Sequence, residues 1–225
     1  MTFAPKLSAL AALALLAAGQ ASAADRLHPT VVEEFQSQGC NSCPPANANL
    51  NAIAGRADVL ALSFSVTYWD YLGWKDTFGR PAYTERQWDY AKAGGRSTVY
   101  TPQMIGNRAG EIDRAIRTYD RGAGGPRIGW EGGRLSVAGA GPKGGAVVWL
   151  VRYDPRTLDV AVRAGENAGR TLPHRNIVKE LVRLGSWQGG SASFALPPAG
   201  DPVLKTAALV QAGPGGPILA AQRMP

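Results

Sequence analysis

Val31-Val32-Glu33-Glu34-Phe35-Gln36-Ser37-Gln38-Gly39-Cys40-Asn41-Ser42-Cys43-Pro44-Pro45 is the stretch whose reading settles the fold. Val31, Val32 and Phe35 give its first part the β-branched and aromatic character of a strand. Gln38-Gly39 ends that strand. Pro44 and Pro45 suit the first turn of a helix, where a missing N–H is not needed. Residues 46–54 continue the helix with Leu50 and Ile53 on one side, and Gly55 is its expected stop. Residues 59–66 are almost continuously apolar, as in a parallel strand covered on both faces. The order is strand, helix, strand, with the cysteines at the strand-to-helix turn.

The chain has two cysteines in 225 residues. A structural disulfide framework uses more cysteines at wider spacing. A bridge between Cys40 and Cys43 closes so short a loop that it constrains the unfolded chain little. Two thiols are also too few for structural zinc, which takes four ligands. The spacing therefore argues for chemistry. Amides at a helix N-terminus favour negative charge, so a thiolate there is stabilised. Cys40 is expected to be the more exposed, attacking sulfur. Cys43, inside the first helical turn, resolves the mixed disulfide. The alternatives are an inert clip or a metal-binding pair.

Other candidates gather around this turn. Strand alternation sends Glu33 and Glu34 to opposite faces, so at least one risks burial and a raised pKa. Such a carboxyl below the dithiol could take the Cys43 proton; the alternative is a glutamate that reaches solvent or pairs with an arginine. Thr101-Pro102 leads into Gln103-Met104-Ile105-Gly106-Asn107, read as a short strand ending in a turn. A cis bond there would set the Thr101 backbone against the disulfide, able to align a substrate peptide; the alternative is a trans turn proline. Tyr68-Trp69-Asp70-Tyr71-Leu72-Gly73-Trp74-Lys75-Asp76 leaves the same sheet edge as the cysteines. Ligands bind at that edge of open α/β sheets. Tyr68, Trp69, Asp70 and Trp74 thus either wall the site or simply pack a long loop onto the core. His28 and His174 read as structural or surface residues. Copper(I) favours thiolate and thioether ligands, and Met104 follows Pro102 closely.

Further out, Lys6 precedes an apolar run at 7–18, and Ala21-Ser22-Ala23 has the small-x-small pattern of a secretory cleavage site. The run is short for a membrane span of about 20 residues. Residues 1–23 are read as a signal peptide, with an uncleaved anchor as the alternative. The mature chain is expected to be periplasmic or secreted, without a stable membrane span. Loss of Lys6 takes the side-chain charge from +7 to +6. The arginines are scattered, so this charge reads as solubility rather than nucleic-acid binding. Helices are expected at 83–93 and 111–119. Arg121-Gly122-Ala123-Gly124-Gly125-Pro126 reads as a linker. Beyond it, turn signals separate expected strands at 134–138, 146–153, 158–163, 192–196 and 206–211, the spacing of a β-sandwich. Residues 177–184 fit a strand or a short helix.

Ser37 to Pro45, Tyr68 to Asp76 and Tyr100-Thr101-Pro102-Gln103-Met104 together resemble a secreted bacterial family of unknown function with a thioredoxin-like fold. The resemblance covers most of the mature chain, including Gly165-Glu166-Asn167 and Leu184-Gly185-Ser186-Trp187. The wider thioredoxin superfamily implies the roles given to Cys40, Cys43 and Pro102. Its strand pattern aligns a buried acid with Glu34, whereas the closer family favours Glu33. Gly39 departs from the tryptophan that often precedes the first cysteine of thioredoxins. Pro45 removes a further amide near the helix start.

The expected fold is α/β. A thioredoxin-like domain over 24–121, a central sheet flanked by helices, is followed by a smaller, mostly-β, sandwich-like domain over 126–225. The expected function is thiol–disulfide oxidoreduction on protein thiols or disulfides, with a redox partner protein and no organic cofactor. The alternatives are a copper(I) chaperone using the same cysteines and a binding module with a permanent disulfide.

Overall fold

The structure, a computed structural model, describes residues 24–105, 125–198 and 200–225. The expected signal peptide, the 106–107 turn, the 111–119 helix and the 121–124 part of the linker lie outside the described residues.

The decisive stretch folds as read. Strand β1 is Thr30–Gln36, helix α1 is Cys43–Ile53 and strand β2 is Val59–Ser65. β1 and β2 are parallel, with Thr30 opposite Val59 and Gln36 opposite Ser65. Every residue of β2 is buried, which accounts for its unbroken apolar character. A short 3-10 turn at Asp70–Leu72 leads to helix α2, Pro81–Ala93, and then to strand β3, Gln103–Ile105. β3 runs antiparallel to β1, with Met104 opposite Glu34.

Nine further strands follow: β4 Arg127–Glu131, β5 Arg134–Gly139, β6 Ala146–Asp154, β7 Leu158–Ala161, β8 Thr171–His174, β9 Ile177–Trp187, β10 Gly190–Ala195, β11 Lys205–Gln211 and β12 Ile218–Arg223. The ambiguous 177–184 segment is strand, and β4, β8 and β12 were not anticipated. The main sheet has seven strands in the order β12-β11-β6-β9-β2-β1-β3. The division expected near 121–126 therefore does not separate two sheets. β9 joins β2 in parallel through a single register pair, Ser63 and Ile177. Asn176 makes that splice. Its carbonyl accepts from the Ser63 amide at 2.9 Å, and its side chain donates to the carbonyls of Ala61 and Ala54. The protein is a mixed α/β structure with two α-helices among the described residues.

Apolar clusters cover both faces of the sheet. Phe35, Leu62 and Phe64 pack with Tyr83 and Tyr90 of α2, and with Val151 and Leu209 from the later strands. Val32, Val59 and Ala61 pack with Leu50 of α1. Each fully buried side chain of this size contributes roughly 2 kcal/mol. A three-stranded sheet, β10-β5-β4, lays Leu135 and Val137 against Val148, Trp187 and Val210 of the main sheet. That layer sets a second, smaller sheet against the main one in the C-terminal half.

Candidate functional site

β1 ends in a tight turn that presents the cysteines. The Cys40 amide donates to the Ser37 carbonyl at 3.1 Å, and the Cys43 amide donates to the Cys40 carbonyl at 3.2 Å. Cys40 and Cys43 form a disulfide with their Cα atoms 5.5 Å apart. Both are 0% exposed, whereas Asn41 and Ser42 between them reach solvent. The expectation of an exposed Cys40 is corrected here. Its cover comes from distant parts of the chain, which local reading of the turn could not foresee.

Part of that cover is residues 162–170, the loop between β7 and β8. Asn167, fully buried, donates through its side-chain amide to the carbonyls of Gln38 at 3.0 Å and Cys40 at 2.8 Å. Arg170 donates to the Asn167 side-chain oxygen at 2.7 Å, which fixes the amide's orientation. The Glu166 carboxylate accepts from the Asn41 amide at 3.0 Å. Gly165, at φ +77, lies so close that a Cβ there would stand 3.5 Å from the Gly39 Cα. On its other side Gly39 meets Trp69, whose Cβ would be 3.3 Å from a Cβ at position 39. A side chain before Cys40 would press on Trp69, a contact that Gly39 avoids.

The aromatic loop is the rest of the wall. Trp74 donates to the Gln38 side chain at 2.8 Å, and Trp69 donates to the Thr101 hydroxyl at 2.7 Å. Asp76 accepts from the Gln38 amide at 2.8 Å, and Asp70 accepts from the Asp76 amide at 3.1 Å. Burial raises the Asp76 carboxyl above its ordinary value, opposed by the amides it accepts from. Tyr68 is half-buried, and burial raises its phenol. The Thr101-Pro102 bond is cis. The Ser42 hydroxyl lies 3.3 Å from the Cys40 Sγ and 3.5 Å from the Thr101 carbonyl, which brings that backbone to the cysteine turn. Gln87 of α2 anchors the segment by donating to the Tyr100 carbonyl and the Gln103 side chain.

The two glutamates of β1 separate completely. Glu33 faces α2, where Arg86 pairs with it in a buried ion pair. That partner engages it fully, so the Glu33 assignment to the dithiol is corrected. Glu34 is 0% exposed, neither oxygen has a hydrogen-bond partner, and burial raises its pKa to about 8. Gln36, two residues on and therefore on the same face, accepts from Asn47 of α1 at 3.4 Å and donates to Ser65 at 2.7 Å. Asn47 also meets Nδ1 of His174 at 3.3 Å. Burial pushes the His174 pKa down to about 4, and its Nε2 has no partner. Asn47 follows Cys43 by one helical turn on the same face. A polar seam thus runs inside the protein from the helix start to β8.

Sequence reading missed Gln38, Ser42, Asn47 and Asp76, and set His174 aside. Glu166 and Asn167 were noted only within a resembling stretch. Met104 packs against the Val32–Leu50 cluster. Among the described residues no three His, Cys, Asp or Glu side chains are grouped to hold a metal ion.

A disulfide at a strand-to-helix turn, sealed by a distant hairpin, defines a mixed α/β protein with a covered cysteine pair. The chain belongs to a family described as proteins of unknown function, DUF1223, which matches residues 31–211. Its structure is similar to that of protein AGR_C_4864 from Agrobacterium tumefaciens, with 30% identity and a TM-score of 0.66 over 91% of this chain and 96% of that one. HBP35 of Porphyromonas gingivalis is similar in fold alone, with 11% identity and a TM-score of 0.56 over 88% of this chain and 75% of that one. No curated protein matches.

Proposed function

We propose that this protein is an exported thiol–disulfide oxidoreductase of thioredoxin-like type, acting on protein thiols through Cys40 and Cys43. The observation that carries the reading is the unpartnered, buried Glu34 on the α1-facing side of β1, the strand that leads into the disulfide turn. An isolated carboxyl is costly to bury, and such groups gather where protons move. The parallel β1–α1–β2 unit, with the cysteines at its strand-to-helix turn, supports the kinship with thioredoxins. Lys6, the apolar run and Ala21-Ser22-Ala23 support export.

In the oxidising direction a substrate thiolate attacks the Cys40 sulfur and the S–S bond breaks. Cys43 leaves as a thiolate and takes the proton of Glu34. A second substrate thiolate then attacks the substrate sulfur of the mixed disulfide and releases the Cys40 thiolate. Two electrons pass to the protein and the substrate gains a disulfide. In the reverse direction Glu34 accepts the Cys43 proton as that sulfur attacks. The couple's potential against its compartment sets the direction.

Full burial of both cysteines favours a second reading, a binding module with a permanent disulfide. Equilibration in glutathione buffers separates the two. The redox reading expects a reversible two-electron couple between roughly −120 and −300 mV, with a Cys43→Ser variant trapping a mixed disulfide on Cys40. A bond that stays oxidised below that range, with no trapped species, overturns it in favour of the permanent bridge.

A further inference from the structure

We propose that Gly165-Glu166-Asn167 is a lid over the disulfide, and that Glu166 is a positioning residue that holds the lid shut and opposes a thiolate at Cys40. This rests on the redox reading above and names a control on the same site.

The start of α1 is poor in amide donors. Pro44 and Pro45 have no N–H, and the Cys43 amide is taken by the Cys40 carbonyl. The Asn41 amide, next to Cys40, is taken by the Glu166 carboxylate. A carboxylate therefore holds a donor that would otherwise stabilise negative charge on the Cys40 sulfur. Asn167 clamps the same loop down through the Gln38 and Cys40 carbonyls. The loop's backbone is built to project these two side chains. The Val162 amide donates to the Arg170 carbonyl and the Gly169 amide to the Val162 carbonyl, while Gly165 and Gly169 supply left-handed turns at φ +77 and +79.

Reduction changes the charge beneath the lid. The disulfide is neutral and coexists with Glu166 at the amide. A Cys40 thiolate places a second negative charge at the same donor. Glu166 is exposed and leaves for water at little cost, whereas Cys40 is fixed to the turn. Formation of the thiolate therefore loosens the lid, and closure of the lid favours the disulfide. The other titratable or charged groups on elements around Cys40 include Asp70, Lys75 and Asp76 of the aromatic loop, Glu34 of β1, and Arg163 and Arg170 of the lid loop, the last bonded to Asn167. His174 of β8 meets α1 one turn farther on, at Asn47. Glu166 differs from these in holding an amide of the cysteine turn next to Cys40.

The test uses the full chain, wild type against Glu166→Gln and Asn167→Ala. Each is reduced with an excess of a phosphine, and Cys40 is titrated by thiolate absorbance in a Cys43→Ala background. Glu166→Gln keeps a carbonyl for the Asn41 amide and removes only the charge. It is expected to raise the thiolate fraction at a given pH roughly three- to tenfold. That difference should shrink in high salt, as for an exposed charge. With both cysteines present, the couple should become more oxidising by up to about 30 mV, the two-electron equivalent of tenfold. Asn167→Ala should speed phosphine reduction of the disulfide about tenfold and, by loosening the loop that carries Glu166, shift the thiolate titration in the same direction as Glu166→Gln; an unchanged reduction rate would refute the clamp. An unchanged titration in Glu166→Gln overturns the assignment even where glutathione exchange of the wild type upholds the redox reading. A shifted titration supports it even where that exchange fails, because phosphine reduction does not depend on catalysis. If Asn167→Ala does not fold, the Glu166→Gln titration decides alone.

Discussion

Glu33 accepts two hydrogen bonds from the Arg86 guanidinium, at 2.8 and 2.6 Å, in a site where neither side chain is more than 4% exposed. Arg86 also donates to Gln211 of β11 at 3.1 Å and lies over the rings of Phe64, Tyr90 and Trp149. One ion pair thus ties β1, α2 and β11 together. Removing one partner strands a buried charge, so Arg86→Met should cost about 3–5 kcal/mol in urea unfolding. A Glu33→Leu, Arg86→Met double variant should recover most of that loss. A single variant as stable as wild type would contradict the pairing.

Glu34, the next residue, predicts a pH profile. Burial raises its pKa from 4.5 to about 8, so the folded protein keeps a proton there that the unfolded chain releases within that window. Its contribution to stability therefore falls as pH rises through the window. His174 works in the opposite sense. Burial lowers its pKa from 6.5 to about 4, so stability rises with pH across that range. The two oppose one another between 4.5 and 6.5, and Glu34 acts alone from 6.5 to 8. The unfolding free energy should fall over that upper interval by up to about 1.4 kcal/mol per pH unit. Glu34→Gln should abolish the fall and uncover the His174 rise at lower pH. An identical profile in wild type and variant would exclude a buried carboxyl.

Asn176 predicts how tightly the sheet is spliced. It sits at φ +51 and bonds the Ala61 carbonyl at 2.8 Å and the Ala54 carbonyl at 3.3 Å. Asn176→Ala loses both bonds and keeps an unfavourable backbone, for a cost of about 2–4 kcal/mol. Asn176→Gly relieves the backbone and should cost measurably less. Thermal unfolding of both variants compares them, and equal losses would refute the backbone part of the argument.

Tyr71 and Tyr100 are 78% and 56% exposed, one in the aromatic loop and one directly before Thr101-Pro102. Exposed aromatics beside a covered bond suit contact with a protein partner. Tyr71→Ser with Tyr100→Ser should lower kcat/KM for a thiol-bearing protein roughly fivefold or more, a loss of about 1 kcal/mol or more. Turnover with a small thiol should stay unchanged. Equal losses with both substrates would assign the tyrosines to the fold instead.

Much of this architecture is legible in residues 31–66. The β-branched start of β1, the prolines at the head of α1 and the apolar run of β2 are local signals, and each element formed where they placed it. The joining of both halves into one sheet is not local. β2 and β9 meet at Ser63 and Ile177, and the residue that joins them is one asparagine with no distinguishing pattern around it. Alternation correctly sent Glu33 and Glu34 to opposite faces. Which face held an arginine depended on α2, more than fifty residues away in sequence. The cysteine spacing gave the disulfide, but its burial depended on Asn167, whose amide serves carbonyls 127 and 129 positions back along the chain.

That long span has a consequence for the protein's making. During synthesis the thiols are complete well before the hairpin that will close over them exists. An oxidant meeting the growing chain finds both sulfurs bare. One meeting the finished molecule finds them covered. Cys40 and Cys43 thus belong to an open chemistry early in the molecule's life and to a guarded one ever after.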